Sequence, residues 1–338
     1  MVTILSFVLV FGLLTMFHEV GHFIVAKLTG IRVEEFGIGF GTRLFSRKRG
    51  ETLYTLRLLP LGGFVKMSGE ESPVPDDARA FNNKSVLTRF AVIAAGPFMN
   101  FVLAALLFGL IFFLLGVPEK APIAGGIIAA SPAEGAGLQI GDRVLSINGE
   151  EVETWEEMAA FIQGSGGQEI QLAIARKNEI LSVTLVPEPD PQTGVILIGV
   201  ERIIHRHRPF LSLYYGFLQT VGAAIFILTM LAGMITGRVA PELSGPLGII
   251  QVVGEAARTG FLDLLSLAAI LSINIALFNL FPIPMLDGGQ LLFLAVEGIR
   301  GKPLKPEQEG FFRFLGILLL LTLLIAVTYS DINRLLLR

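Results

Sequence analysis

Phe17-His18-Glu19-Val20-Gly21-His22-Phe23 interrupts an apolar run that extends from Ile4 to Ala26. A helix crosses the hydrocarbon core of a bilayer with roughly 20 residues. The run is therefore long enough to span a membrane while carrying two histidines and a carboxylate inside it. A charged group at the centre of a span costs about 2.5–3.5 kcal/mol unless it is partnered. The spacing supplies a reason to bear that cost. His18 and His22 lie four apart, share one face of a helix and can both reach one metal ion. Glu19 is offset beside them, placed to polarise a metal-bound water rather than to ligate.

The surrounding chain fits this reading. It has 338 residues, 52% hydrophobic and 16% charged, with a mean hydropathy of +0.68. An average soluble domain carries about 25% charged residues. Five stretches are apolar enough to enter a membrane: 4–26, 89–117, 210–236, 262–286 and 311–329. The segment between the second and third, 118–200, differs in character. It is Gly-rich and charged, and the alternation in Gln171-Leu172-Ala173-Ile174-Ala175 and Ser182-Val183-Thr184-Leu185-Val186 predicts β-strands. It reads as a soluble domain inserted into a membrane protein. The chain has no cysteine, so any zinc must be held by His, Asp or Glu. A net charge of −3 gives no sign of nucleic-acid binding. Met1-Val2-Thr3 offers no basic start and no small-residue cleavage site follows, so the first span is expected to remain as an anchor.

Charge predicts the orientation. Nothing basic precedes the first span, whereas Lys27, Arg32, Arg43, Arg47, Lys48, Arg49, Arg57 and Lys66 follow it. The positive-inside rule makes that loop cytoplasmic and puts the β-rich domain outside. Arg300, Lys302, Lys305 and Arg313 should again be cytoplasmic. An odd number of crossings must then join the outer domain to residue 300. We assign one, 262–286, and read 210–236 as a helix on or in the outer leaflet. The Arg/His cluster at 202–208 then sits outside, against the charge rule.

Two histidines do not complete a catalytic zinc site, which usually takes three protein ligands and a water. His205 and His207 lie in a polar segment expected outside the membrane. The acidic residue near the core of a later span is Asp287, in Asn279-Leu280-Phe281-Pro282-Ile283-Pro284-Met285-Leu286-Asp287-Gly288-Gly289. The prolines break the helix and the glycines admit close backbone approach. Asn274 and Asn279 are further polar groups in the same apolar span, suited either to helix–helix hydrogen bonds or to a site.

These residues together resemble the site-2 protease family, specifically its bacterial RseP-like regulated intramembrane metalloproteases. His18-Glu19-x-x-His22 matches the family's zinc motif, and Leu286-Asp287-Gly288 its third-ligand motif. Gly37-Ile38-Gly39-Phe40-Gly41 and Pro60-Leu61-Gly62-Gly63-Phe64-Val65-Lys66-Met67 look like its membrane-associated β-loop. Gly96-Pro97-Phe98-Met99-Asn100-Phe101 resembles the opening of its second span, and Ser244-Gly245-Pro246-Leu247-Gly248-Ile249 the segment after its PDZ region. The run Ser131 to Gly149 is similar to a PDZ domain. One such unit fits between 118 and 200, where some relatives carry two, and Ile198-Gly199-Val200 could be its carboxylate-receiving loop.

The resemblance implies a polytopic α-helical membrane protein of four spans plus an interfacial helix, with a membrane-associated β-hairpin region and an inserted PDZ domain. Its parts would be the first span (1–29), a cytoplasmic β-loop and linker (30–87), the second span (88–117) and the PDZ domain (118–200). An interfacial helix and connector (201–260), a third segment with Leu-Asp-Gly (261–299) and a loop, last span and tail (300–338) would follow. It implies one Zn2+ per chain on His18, His22 and Asp287, with Glu19 as the catalytic acid–base. Substrate contacts are expected at Asn279, Asn274, Gly37, Gly39 and Phe40. The implied reaction is hydrolysis of peptide bonds in or near the membrane segments of single-span proteins, of anti-sigma-factor or remnant-signal-peptide type, in the bacterial cytoplasmic membrane. The implied partners are those substrates, the lipid bilayer and a peptide or protein ligand of the PDZ domain, with no nucleic acid. A zinc transporter and a silent PDZ scaffold are the rivals. Neither needs Glu19, and a conduit would need more than one polar layer.

Overall fold

The structure is a computed structural model of the chain and describes residues 2–70, 72, 74–177, 179–191, 193–238 and 245–336. Of the stretch 244–249 singled out above, Ser244 lies outside the described residues. The chain divides into two compact units, residues 1–111 with 213–338, and residues 112–212.

The first unit begins with helix α1 (Val2–Leu28), followed by two long strands, β1 (Val33–Arg49) and β2 (Thr52–Met67), and helix α2 (Val86–Leu115). Past the inserted unit come α5 (Pro209–Ile235), α6 (Pro246–Thr259), α7 (Phe261–Leu280), α8 (Asp287–Arg300) and α9 (Pro306–Leu336). Among the described residues, α1, α2, α5, α7 and α9 are long and apolar enough to cross a membrane. Only 6% of the apolar window is buried in α5 and in α9, against 39% in α2. Bare apolar helices of this length need lipid as their solvent, so this is a multi-pass membrane protein.

The small residues sit where helices meet, as expected where lipid gives no hydrophobic drive for association. A Cβ on Gly21 of α1 would lie 2.2 Å from the Ala95 carbonyl oxygen of α2. One on Gly216 of α5 would lie 2.4 Å from the Gly109 nitrogen of α2. One on Gly254 of α6 would lie 2.4 Å from Thr3 of α1.

The expected β-hairpin region is more than a single hairpin. Residues 43–49 pair with 52–57, and residues 35–38 have partners both in 53–56 and in 63–66. The two strands thus fold over themselves into a wider sheet, with 63–67 at its margin. The tight reversal falls at Gly50 (φ +60°) between Arg49 and Thr52, which takes 52–57 to 43–49 first. Glu35 is buried in this sheet between Thr55, Arg43 and Arg57, at 2.8, 3.1 and 2.9 Å.

The span expected over 262–286 is shorter. Helix α7 ends at Leu280, and α8 begins afresh at Asp287. Pro282 and Pro284 lack the N–H a continuing helix would need, and each disfavours α geometry in the residue before it. The expected interfacial segment 210–236 is a helix of 27 residues.

The inserted unit carries β3 (Val117–Pro118), β4 (Ala124–Ile127), the short α3 (Pro132–Gly135), β5 (Arg143–Ile147), β6 (Glu150–Glu151), α4 (Trp155–Gly164), β7 (Ile170–Arg176) and β8 (Glu179–Leu185). A four-stranded sheet in the order β6-β5-β7-β8 covers a core that includes Val144, Ile147, Met158, Ile162, Leu172 and Ile174. Thr154 and Glu157 close a capping box at the start of α4. Asp142 is buried, and Arg176 donates Nε to its Oδ1 at 2.8 Å and Nη2 to its Oδ2 at 2.7 Å. The carbonyls of Ile198 and Gly199 are taken by the N–H groups of Ala133 and Ile128, both at about 2.8–2.9 Å.

The hydrogen bonds from Arg176 hold the Asp142 carboxyl below its usual range, with the Gln139 N–H adding to the effect. A depressed folded pKa contributes stability that is full above the unfolded value of about 3.9 and is lost as pH falls through the lowered one. Asp142→Ala also removes the buried carboxylate that accepts both bonds from the partly exposed Arg176 and the Gln139 N–H, and should destabilise the unit by about 1.5–3 kcal/mol. Trp155, the chain's single tryptophan, packs on this core and reports the change. The urea midpoint of its fluorescence in the full-length protein should drop in the variant, and in wild type should drop as the pH is lowered below about 4.

Candidate metal centre

Three side chains from two distant parts of the sequence converge. His18 Nε2 and His22 Nε2 lie 3.2 Å apart. Asp287 Oδ2 lies 3.1 Å from the first and 3.6 Å from the second. The third side chain arrives because the bend at 281–286 aims the start of α8 back at α1. That bend is tight. Met285 holds φ +89°, in the region most side chains avoid. A Cβ on Gly288 would lie 2.2 Å from the Phe281 carbonyl oxygen, and one on Gly289 2.4 Å from that of Ile283. The Gly-Gly pair is a steric requirement of the turn.

The protons show what the cluster is for. His22 Nδ1 sits 2.8 Å from the Val92 carbonyl oxygen, which can only accept, so Nδ1 carries the hydrogen and Nε2 presents a lone pair. His18 Nδ1 lies 3.3 Å from Nδ2 of the fully buried Asn100 amide. The O and N of an amide are assigned from its hydrogen-bond network; exchanging them lets Oδ1, otherwise unpartnered, accept from His18 Nδ1–H, and His18 likewise presents its Nε2 lone pair. Asp287 Oδ2 is buried with no hydrogen-bond partner. Three lone pairs then point at one largely buried spot, an arrangement that repels itself without a cation. Tetrahedral zinc with bonds of about 2.0–2.1 Å needs ligand atoms about 3.3 Å apart. The observed 3.1, 3.2 and 3.6 Å meet that test. The residues therefore fit a zinc ion. Among the described residues, no other group of three His, Asp or Glu side chains gathers in this way.

Glu19 lies beside the cluster and is not one of its three ligand atoms. It lines a cavity of about 180 Å³ with Phe64, Val65, Met67, Glu70 and Gln290. Gly63 leaves room for it, since a Cβ there would come 3.0 Å from Glu19 Cγ. The margin of the β-sheet thus forms one wall of the site. Gly96 forms another, because a Cβ there would lie 2.3 Å from His22 Nε2 and 2.9 Å from His18 Cε1.

The remaining expected residues lie away from the cavity lining. Gly37 accommodates the Phe64 ring, 2.2 Å from where its Cβ would be. Gly39 holds φ +87° against the Leu59 carbonyl. Phe40 is half exposed, with its ring over Gly62. These three shape the sheet that carries Phe64 and Val65. Asn274 and Asn279 are partly buried on α7 and do not line the cavity. Asn100, read above only as part of a motif, is the residue behind His18. Ser272 Oγ of α7 donates to its carbonyl at 2.8 Å. Gln290 was legible in principle, because it lies three residues after Asp287 on the same face of α8. No local signal marked Glu70.

The profile of peptidase family M50 matches residues 6–323. A Clostridium acetobutylicum protein is 40% identical over 327 residues, covering 96% of both chains. The regulator of sigma-W protease RasP of Bacillus subtilis is 34% identical over 416 residues, covering 98% of this chain and 99% of that one. Among solved structures, the PDZ domain of an SdrC-like protein from Listeria monocytogenes, at 17% identity and a TM-score of 0.23, covers 26% of this chain and 92% of that one.

Gly96→Ala should displace both imidazoles without altering charge. Its zinc dissociation constant is expected to rise on the order of 100-fold, measured by competition with a chromophoric chelator. Undiminished affinity would show that Gly96 does not seat the ligands.

Proposed function

From the premise that the chain belongs to peptidase family M50, the zinc metalloproteases of the site-2 type, we propose that it cuts single-span membrane proteins in or near their transmembrane segments. The reaction is the intramembrane step of regulated proteolysis. The observation that carries this is the set of three ligand atoms at zinc-like spacing, with Glu19 alongside, on helices that require lipid. A relative named as a regulator of sigma-W protease supports substrates of the anti-sigma-factor type, and remnant signal peptides are the other class.

One zinc per chain, held by His18, His22 and Asp287, would supply Lewis acidity and a bound water of lowered pKa. The protein's own residues do the rest. Val92 and Asn100 fix the tautomer and the plane of each imidazole. The Glu19 carboxylate takes a proton from the attacking water and passes it to the leaving amide nitrogen. A substrate helix hides its carbonyls in internal bonds and must unwind to be cut. The edge at 63–67 offers it a strand to pair with, and among the described residues it is paired on one side alone, by 33–38. Gly37, Gly39 and Phe40 serve binding through the shape of that sheet. Asn279 and Asn274 contact the substrate from α7, Asn279 being suited to donate to the developing oxyanion. The PDZ unit binds a peptide or protein end and filters what reaches the site.

The setting proposed for it is the bacterial cytoplasmic membrane, with the site toward the cytoplasmic side and the PDZ unit outside. Asp331, near the end of α9, accepts the N–H groups of Gly245 and Gly248 at 3.0 Å each, and Gly254 packs on Thr3. Helix α6 is thereby tied to the end of α9 and the start of α1. The basic loop at 300–305 puts the other end of α9 in the cytoplasm, so α6 lies outward. Helix α5 starts from the outer unit. If it crossed, the ten residues that join α5 to α6 would have to recross about 30 Å of hydrocarbon. Four crossings satisfy these constraints.

Purified Glu19→Gln should keep its zinc while cleaving a single-span reporter about 10²–10⁴-fold more slowly. A zinc-loaded wild type that never cuts, or a variant that cuts equally well, would overturn the protease reading. Since the chain contains no cysteine, Arg238→Cys gives a single label site just past α5. A membrane-impermeant maleimide should reach it from the outer side, and labelling only from the cytoplasm would establish five crossings.

A further inference from the structure

Helix α8 brings the third ligand, yet it is short and hangs between a bend at 281–286 and Gly301, which ends it at φ +68°. Something besides the bend must set its rotation and height. The inner face of α8 packs Leu291 and Leu294 into a core with Val92 and Ile93 of α2. Those α2 residues neighbour Val92 O and Gly96, which seat the histidines. The far end of the same face carries Glu297. Arg89 of α2 grips it with two bonds, Nη1 to Oε2 at 3.1 Å and Nη2 to Oε1 at 2.5 Å. Both side chains are about 15% exposed, so this pair is largely shielded from water and salt. Gly298 lies against Val86, 3.6 Å from its would-be Cβ.

Helix α8 is therefore pinned at two heights, to α1 at one and to α2 at the other. Asp287 meets His18 and His22 at one end, and Glu297 meets Arg89 at the other, about 15 Å along α8. A planar guanidinium in a two-bond grip fixes direction as well as distance. It fixes the turn of α8 about its axis, which decides where Asp287 Oδ2 points. The histidine seats lie on the same α2 face one to three turns further on, so one rigid helix indexes all three ligands.

We propose that Arg89 and Glu297 are a positioning pair for the metal site, holding α8 so that Asp287 completes the ligand set. This rests on the zinc reading above and adds residues far from the chemistry to it. The bland alternative is an ion pair that stabilises the fold without governing the site.

The test uses full-length protein in detergent, with zinc affinity read by chelator competition, the visible spectrum of the cobalt-substituted protein, and the thermal midpoint. Glu297→Gln should raise the zinc dissociation constant about 10–100-fold and alter the cobalt bands. Arg89→Lys keeps the charge but loses the two-bond geometry, and should fall between wild type and Glu297→Gln. The exchange Arg89→Glu with Glu297→Arg should restore affinity and spectrum. A lowered thermal midpoint with unchanged affinity and cobalt spectrum would overturn the proposal, as would a folded exchange variant that fails to restore them. A wild type that binds no zinc would overturn the zinc reading and this one together, whereas zinc-loaded wild type with unaffected variants overturns the positioning pair alone.

Discussion

Three lone pairs meet within a few ångströms inside a helical membrane protein, and most of the surrounding architecture answers to that constraint. His18 Nε2, His22 Nε2 and Asp287 Oδ2 cannot be assembled at 3.1–3.6 Å in a largely buried setting by their own attraction. Each would separately prefer water, at several kcal/mol for the carboxylate. What holds them is scaffold rigidity, and what would repay them is a cation. The assembly must therefore be over-determined by groups that are not ligands.

Those groups are mostly backbone and small residues of α2. The Val92 carbonyl and the Asn100 amide take the outer nitrogens of the two imidazoles. Gly96 vacates the volume the rings occupy, and Gly21 lets α1 approach closely enough for them to enter it. On the other side, the prolines of 281–286 stop α7 and the paired glycines let the chain turn back within one carbonyl's radius. Ser272 ties α7 to Asn100 itself. Each ligand is thus held by something that is in turn held by α2.

The metal cluster was legible in the sequence because its residues violate local expectation. Two histidines, a glutamate and an aspartate in apolar segments stand out by their cost. The residues that serve the cluster violate nothing. Asn100 looks like ordinary helix glue, Gln290 like a polar position on a short helix, and Glu70 like a loop acid. Only the fold brings them to the site. The sheet was legible in its existence and not in its pairing. Strand propensity is satisfied equally by a single hairpin and by the arrangement found, in which 35–38 have neighbours on both sides. The choice lies in where the tight turn falls, and the segment holds several glycines able to make one. The span at 262–286 was read too long because apolarity continues past Leu280 while helical geometry does not.

The same cavity must admit water and a peptide bond while lying at membrane depth, and its walls reconcile these needs. Glu19, Glu70 and Gln290 provide polar surface, and Phe64, Val65 and Met67 provide the apolar remainder. An unwinding substrate helix exposes N–H and C=O groups, each costing several kcal/mol in lipid if left unmet. A sheet margin at the cavity can meet one row of them at the place where the chain must be opened. The energetic argument then runs from the sheet to specificity. Helices that unwind cheaply, through Gly, Pro or polar residues near the cut, gain most from the exchange, and long uninterrupted apolar helices gain least. Selection on this view depends more on how readily a segment leaves the helix than on the side chains at the bond itself.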